Sequence, residues 1–295
     1  MESKVSDFGG KIITRFAQAA FLGGEDATES NFSKGTFRQL LTIVSHHILA
    51  YTYAMKVARF DFDPDLQPLL KRDLRGEAVD LRFQGPQSAK HLIESLGIPH
   101  TEVGSLTVNG EGIRLEYIVH DGDRLEVQPV APVALEQEPR FVLDGHLGRL
   151  ASHLRMLGLD CMYNNGYEDD ELVEISLEEE RILLTRDRLL LMHKIITQGY
   201  LLRSLNTMEQ LHEVVQRYRL VKWVRPFQRC MKCNHLLETV EKETVLEKLE
   251  PLTKKYYDDF KQCPACKQVY WKGSHYEKML QVIEKLSGEE HPSEM

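Results

Sequence analysis

Four of the five cysteines fall into two pairs, Cys230-x-x-Cys233 and Cys263-x-x-Cys266, with 29 residues between the pairs. Two thiolates from each pair complete a tetrahedral zinc site with no open coordination position, so the spacing predicts a structural rather than a catalytic zinc. Asn234 and Pro264 suit the tight turns of such knuckles. A thioredoxin-like redox centre needs only one pair. Cys161 is left over and reads as a small buried hydrophobe on a strand.

A second set of residues is acidic. Asp144 ends the apolar run RFVLD, Asp169 and Asp170 open a helical pattern, and Asp187 follows the apolar run RILLT. In a parallel α/β sheet the crevice beyond the C-terminal ends of the strands collects residues from separate loops. Carboxylates gathered there repel one another and are held together best by a divalent cation. Oxygen donors without Cys or His favour Mg²⁺ or Mn²⁺. Such a site can polarise a phosphodiester and activate water. Taken singly, an Asp at a strand end or helix start is more often a local cap; it is the shared edge that points to chemistry.

The third set is basic. The chain carries a net charge of −8, yet Arg217 to Lys278 holds 14 Lys+Arg against 8 Asp+Glu. Arg217, Arg219, Lys222, Arg225, Arg229 and Lys232 follow one another with no acid between them. The run reads either as a solvated face or as a phosphate-contacting surface.

The elements that must position these residues are legible from hydrophobic period. From 140 onward short apolar strands alternate with helical stripes. RFVLD leads to Leu147, Leu150, Ala151, Leu154 and Leu157, closed by Gly158; DCMYN leads to a helix capped by Asp169 or Asp170; RILLT leads to RLLLMHK; YLLRS leads to Thr207–Tyr218. That alternation predicts a three-layer α/β fold around a parallel sheet. Residues 55–130 read as a smaller α+β domain. VARFDF and AVDLRF alternate as strands, and Ala89, Leu92, Ile93 and Leu96 mark a helix ended by Gly97 and Pro99. Asn109-Gly110 signals a hairpin turn, and IRLEYIV, His120–Asp123 and RLEVQPV read as strand, turn and strand. The order resembles a β-grasp, ubiquitin-like fold. It lacks the Gly-Gly tail of sulfur carriers, so an accessory or RNA-contacting role is expected instead. Residues 131–139 have a linker's Pro and Glu content. Residues 1–54 read as an extension with a loop over GGEDATESNFSKG. Its adjacent His46 and His47 would point to different helix faces and make a poor metal pair.

Length and composition bound the rest. The chain has 295 residues, 42% hydrophobic and 28% charged, enough for two or three domains with real cores. Apolar runs fall far short of the ~18 residues needed to span a bilayer. The first residues lack the pattern of a secretory signal, and the cysteine usage is not that of a disulfide scaffold. The expectation is a cytoplasmic protein without a membrane partner.

Phe141-Val-Leu-Asp144 with Leu147-Gly-Arg-Leu-Ala151, Arg155-Met-Leu-Gly158, Asp169-Asp-Glu-Leu172 and Arg181-Ile-Leu-Leu-Thr-Arg-Asp187 resembles the Mut-seven C-terminal RNase family, a branch of the PIN-like nucleases. Arg229-Cys-x-x-Cys-Asn234 and Val269-Tyr-Trp-x-Gly-Ser-His275 are similar to its appended zinc ribbon, and the β-grasp segment to the ubiquitin-like domain that precedes it. The resemblance covers about residues 55–280 and implies a ubiquitin-like domain over 55–130, a PIN-like RNase domain over 140–222 and a zinc ribbon over 223–280; it leaves 1–54 as a partly disordered extension without a counterpart and 281–295 as a tail. It also implies Mg²⁺- or Mn²⁺-dependent cleavage of RNA, with Asp144, Asp170 and Asp187 as metal ligands and Asp169 competing with Asp170. No acid after Asp187 matches a fourth corner. Arg155 and Arg186 are expected to hold phosphate or to neutralise the acids. Arg219, Lys222 and Arg225 are expected to contact phosphates, Tyr270 and Trp271 to stack on bases, with ribbon core as the other use of Trp271. The alternative function is a non-catalytic RNA- or ribosome-associated module with a degenerate nuclease fold.

Overall fold

The computed structural model describes residues 54–273 together with Tyr276 and Glu284. The expected extension, with its loop and its His46–His47 pair, and nearly all of the tail lie outside the described residues. The chain divides at Met55, where the second unit begins.

Alternation of buried and exposed residues makes Lys56–Phe62 (β1) a strand with Ala58, Phe60 and Phe62 facing inward. Val79–Phe83 (β2) pairs antiparallel with it. Ser88 then caps the helix Ala89–Ser95 (α1), its side chain accepting from the His91 N–H. Val103–Val108 (β3) and Glu111–Ile113 (β4) form a hairpin through Asn109 and Gly110, both at positive φ, as an Asn-Gly turn requires. Arg124–Pro129 (β5) lies parallel to β1 and antiparallel to β3, giving the sheet order β2-β1-β5-β3-β4. This is the β-grasp arrangement, with the helix between the second and third strands.

One expected strand differs. IRLEYIV is not a single strand and does not hairpin onto β5. After Ile113 it turns, and Ile118–Val119 pairs with Gln87–Ser88 instead. The carbonyls of Leu115 and Tyr117 accept from Lys90 and Ala89, so this segment supplies acceptors at the start of α1. A purely alternating pattern cannot distinguish such a crossing from a sheet strand.

The second half is a four-stranded parallel sheet, Arg140–Leu143 (β6), Asp160–Tyr163 (β7), Ile182–Thr185 (β8) and Gly199–Leu201 (β9), in the order β9-β8-β6-β7. Helices Gly148–Met156 (α2), Asp169–Glu178 (α3), Arg188–Leu191 (α4) and Thr207–Tyr218 (α5) connect and cover it. Strand alternation sorts the core into two faces. Phe141, Leu143, Ile182 and Leu184 pack with α2 and α5. Val142, Leu183 and Leu201 pack with α3 and α4, and this cluster runs without interruption into the core of the β-grasp domain. The two domains therefore share a hydrophobic core.

Gly158, at φ +95°, ends α2 in the left-handed conformation that favours glycine. A Cβ there would sit 2.1 Å from the Arg225 carbonyl oxygen, while the Arg225 N–H donates to Leu157 O. The exit from α5 is thus seated on the end of α2. Glu238–Val240 (β10), Phe260–Gln262 (β11) and Val269–Trp271 (β12) form the last sheet, antiparallel in that order. Val245, Leu249, Phe260 and Val269 form its small core.

Candidate active site and metal centre

The zinc-type centre is built by two similar knuckles. In each, the residue four after the first Cys turns at positive φ, Asn234 (68°) and Lys267 (59°), and its N–H returns to that Cys carbonyl. The four Sγ atoms of Cys230, Cys233, Cys263 and Cys266 all lie within 4.8 Å of one another. Cys230–Cys266 are 3.5 Å apart and Cys233–Cys263 3.3 Å. A tetrahedron with ~2.3 Å Zn–S bonds has edges of ~3.8 Å, so these two pairs need only small outward shifts to hold zinc. The fit is that of a structural ion. Burial pushes the Cys161 thiol well above the ordinary thiol range, so this fifth cysteine stays protonated, as a buried hydrophobe should.

The ribbon is tied to the parallel sheet at β7. The Asn234 side chain accepts from the Cys161 N–H at 3.1 Å and donates to Asp160 Oδ1 at 2.8 Å. Asp160 also meets Arg181 at 2.7 Å and Arg229 at 3.2 Å. Burial would raise the Asp160 pKa, but the Arg181 and Asn234 hydrogen bonds and the Arg229 charge outweigh it and hold the carboxyl below its ordinary range. Arg155, expected to hold phosphate or neutralise the acids, does neither. It is buried, and its guanidinium donates to the carbonyls of Cys161, Met231 and Lys232. Its work is to anchor the first knuckle. Tyr270 is likewise no stacking platform: it is buried, with its hydroxyl 3.1 Å from Cys230 Sγ. Trp271 is half-buried against Phe260 and Tyr257, which is the core use of this ring.

The acidic residues lie along one edge, as parallel strands dictate. Register pairs Leu143 with Leu184 and with Tyr163, so β6, which Asp144 follows, is flanked by β8 on one side and β7 on the other. Asp144 and Asp187 are linked through a single buried hydroxyl. Thr185 Oγ1 donates to Asp144 Oδ2 at 2.8 Å and accepts from the Asp187 N–H at 2.8 Å. Asp187 caps α4, its Oδ1 accepting from the Leu189 N–H at 2.7 Å. One oxygen of each carboxylate is therefore outside these bonds. Thr185 escaped sequence reasoning; a hydroxyl closing an otherwise apolar strand, two residues before Asp187, was the available signal.

Asp169 and Asp170 are placed differently. The cap of α3 is Glu168, in a reciprocal box with Glu171, and the two Asp occupy the exposed first turn. The loop before them closes on the Asp144 turn, with Asn165 O 3.3 Å from where a Cβ on Gly145 would stand. Tyr163 secures the same turn by donating to Gly145 O at 2.9 Å. Among the described residues the four cysteines are the one group of three or more metal-type side chains drawn within ligating distance. The acids form a linked pair plus two exposed neighbours, not a closed cluster. His146 and Arg186 are exposed beside them.

The basic run sits elsewhere. Lys222 donates to Leu135 O, and Arg225 pairs with Glu138 at 3.6 Å. Leu135 and Glu138 precede the start of β6, whereas Asp144 follows its end. Lys222 and Arg225 thus lie at the opposite edge of the sheet from the acids, and Arg219 is the exposed left-handed residue that ends α5. Any phosphate contact made by these three residues is therefore made away from the acidic edge. Beyond β8, Arg188 crosses to the β-grasp domain and donates to the carbonyls of Leu69 and Gly97. Glu102 of that domain accepts from the Leu201 N–H at 2.9 Å and pairs with Arg203 at 3.2 Å.

Residues 139–283 match the Mut7-C RNAse domain, and residues 55–134 the Mut7-C ubiquitin domain. The chain belongs to the Mut7-C RNase family. Curated proteins gave no match. Membership supports a nuclease-type function for the Mut7-C domain, and the ubiquitin-like identity of the first domain agrees with its sheet order. No helix among the described residues is long and apolar enough to cross a membrane.

Proposed function

We propose that this Mut7-C protein is a Mg²⁺- or Mn²⁺-dependent ribonuclease whose acidic edge, led by Asp144 and Asp187, carries the reaction. The observation that supports it most is the Thr185 bridge, which joins the Asp144 carboxylate to the Asp187 backbone beyond two adjacent parallel strands, with one oxygen of each carboxylate outside the hydrogen bonds described. Mg²⁺ is typically bound by one or two carboxylates together with substrate phosphate and water, so a pair suffices as its protein share. A divalent cation bound there supplies electrophilic stabilisation of the phosphodiester and activation of water. Asp144 and Asp187 hold the charge that attracts it; Asp170, with Asp169 as the competing neighbour, is the candidate third ligand, on the exposed first turn of α3. Exposed Arg186 is positioned in sequence to meet a phosphate.

The working division is a ubiquitin-like domain over 55–130, a PIN-like domain over 140–222 and a zinc-bearing ribbon over 223–280. Reduced cysteines held as metal ligands or buried fit a cytoplasmic setting. The separation of Asp169 and Asp170 from the linked pair favours one further reading, a non-catalytic RNA-binding module.

One variant separates the two readings. Asn caps a helix as well as Asp does, so Asp187→Asn should leave the melting temperature unchanged while lowering Mg²⁺- or Mn²⁺-dependent cleavage of a mixed RNA pool about a hundredfold. Wild-type cleavage by this variant would overturn the mechanism. A wild-type protein that binds RNA but never cuts it would establish the binding module.

A further inference from the structure

The placement of Arg219, Lys222 and Arg225 away from the acids leaves open how a nucleic acid reaches Asp144. β7 is the outer strand of its sheet, and the first zinc knuckle stands beside it. Between them runs an open groove of about 770 Å³. Its walls include Met162 and Tyr163 from β7, Tyr167 from the following loop, and Lys232, His235 and Leu236 from the knuckle. Arg155, Arg181 and Arg229 also border it, against a single carboxylate, that of Glu238. The three arginines are committed to carbonyls or to Asp160 and brace the wall, while Lys232 and His235 are exposed.

We infer that this groove is the path of single-stranded RNA to the acidic edge. The inference rests on the ribonuclease reading for the identity of its occupant. Its support is chemical and positional. Two half-buried tyrosines offer aromatic faces for bases, and exposed Lys232 and His235 offer donors for phosphate, the combination by which single strands are held without sequence preference. Tyr163, in the groove wall, donates its hydroxyl to the carbonyl of Gly145, the residue after Asp144. A strand lying along β7 therefore delivers a phosphodiester to the carboxylate pair. The volume lies within the ~300–1,000 Å³ of ligand clefts, room for a few nucleotides and too little for a duplex.

The test uses full-length, zinc-loaded Asp187→Asn protein without added divalent ions. Fluorescence anisotropy reads binding of a twelve-nucleotide oligouridine and of an RNA duplex of the same length. The single strand should bind at least tenfold tighter. Lys232→Glu should weaken it severalfold and flatten its salt dependence. Tyr167→Ala should weaken it by roughly 5- to 100-fold, the range of one lost stacking contact, and Tyr167→Phe should restore it. Arg219→Glu, off the groove, should change affinity less than threefold. Zinc content, measured for each variant, separates lost contacts from a lost ribbon, and Lys232→Glu carries the test if Tyr167→Ala fails to fold. Equal binding of duplex, or affinity that follows Arg219 rather than Lys232, overturns the groove. If these variants bind as before while wild-type protein still cuts RNA, the groove is wrong and the ribonuclease reading stands. If the groove variants lose binding but wild-type protein cuts nothing, the groove stands and the ribonuclease reading falls.

Discussion

At the scale of the residue, Thr185 decides how the acidic edge behaves. Its hydroxyl is the common partner of the Asp144 carboxylate and the Asp187 backbone, and it is completely buried. Thr185→Val keeps the shape and removes the bridge, leaving a donor and an acceptor without their partner. Such losses cost about 1–3 kcal/mol, so chemical denaturation should show a drop of that size. RNA cleavage should fall further than the stability loss explains, because Asp144 is no longer held against β8. A Val variant with full cleavage activity would remove Thr185 from the site. Arg155 teaches the opposite lesson: an arginine beside a proposed phosphate site is committed to three backbone carbonyls.

At the scale of the element, two joints matter. The first is β7 against the ribbon, centred on Asp160. Its carboxyl is held below the ordinary range, so its contribution to stability is fully present above the unfolded value near 3.8 and is lost as pH falls through the lower folded value. Asp160→Asn should therefore destabilise the protein by about 1–3 kcal/mol at pH 7. The gap between variant and wild type should close only below pH 4. A gap independent of pH would show that Asp160 acts by shape rather than charge. The second joint is α4, capped by Asp187 and gripped through Arg188 by the ubiquitin-like domain. Arg188→Gln should loosen the docking of the two domains and lower cleavage without changing zinc content. Faster amide exchange around Leu190 and Gly97 would register the loosening, and unchanged exchange at both would count against the joint.

At the scale of the whole molecule, the ubiquitin-like and RNase-like parts share a core in which Val142, Leu183 and Leu201 are continuous with the β-grasp cluster. Removing residues 55–134 would strip cover from that face, so a protein starting at 139 should be insoluble or molten. One starting at Met55 should fold and retain activity. The zinc ribbon is joined mainly by polar contacts at Asn234, Arg155 and Asp160. Metal removal, or Cys233→Ser, should therefore disorder the ribbon while the shared core survives. Limited proteolysis should then cut within the ribbon alone, and RNA affinity should fall. Global unfolding on chelation would show a deeper coupling than these contacts provide.

What the sequence alone determined was whatever depends on short-range order. Hydrophobic period located β1, β2, β6 to β9 and the helices between them, because burial on one face imposes a period of two or 3.6. Cysteine spacing located the four-thiol cluster, because a knuckle is a local turn and each pair brings its own geometry. Strand-end Asp residues were legible because parallel strands must present their C-terminal ends together. The tertiary structure alone decided the uses of side chains whose partners are distant in sequence. Arg155 reaches carbonyls 76 and 77 residues away, and Arg188 reaches Leu69 across 119 residues. The direction in which the basic run faces was equally beyond local pattern, since charge along a chain carries no record of which sheet edge it will meet. The IRLEYIV segment shows the same limit within the backbone: its alternation was real, but its hydrogen-bond partners at the start of α1 were chosen by the packed fold.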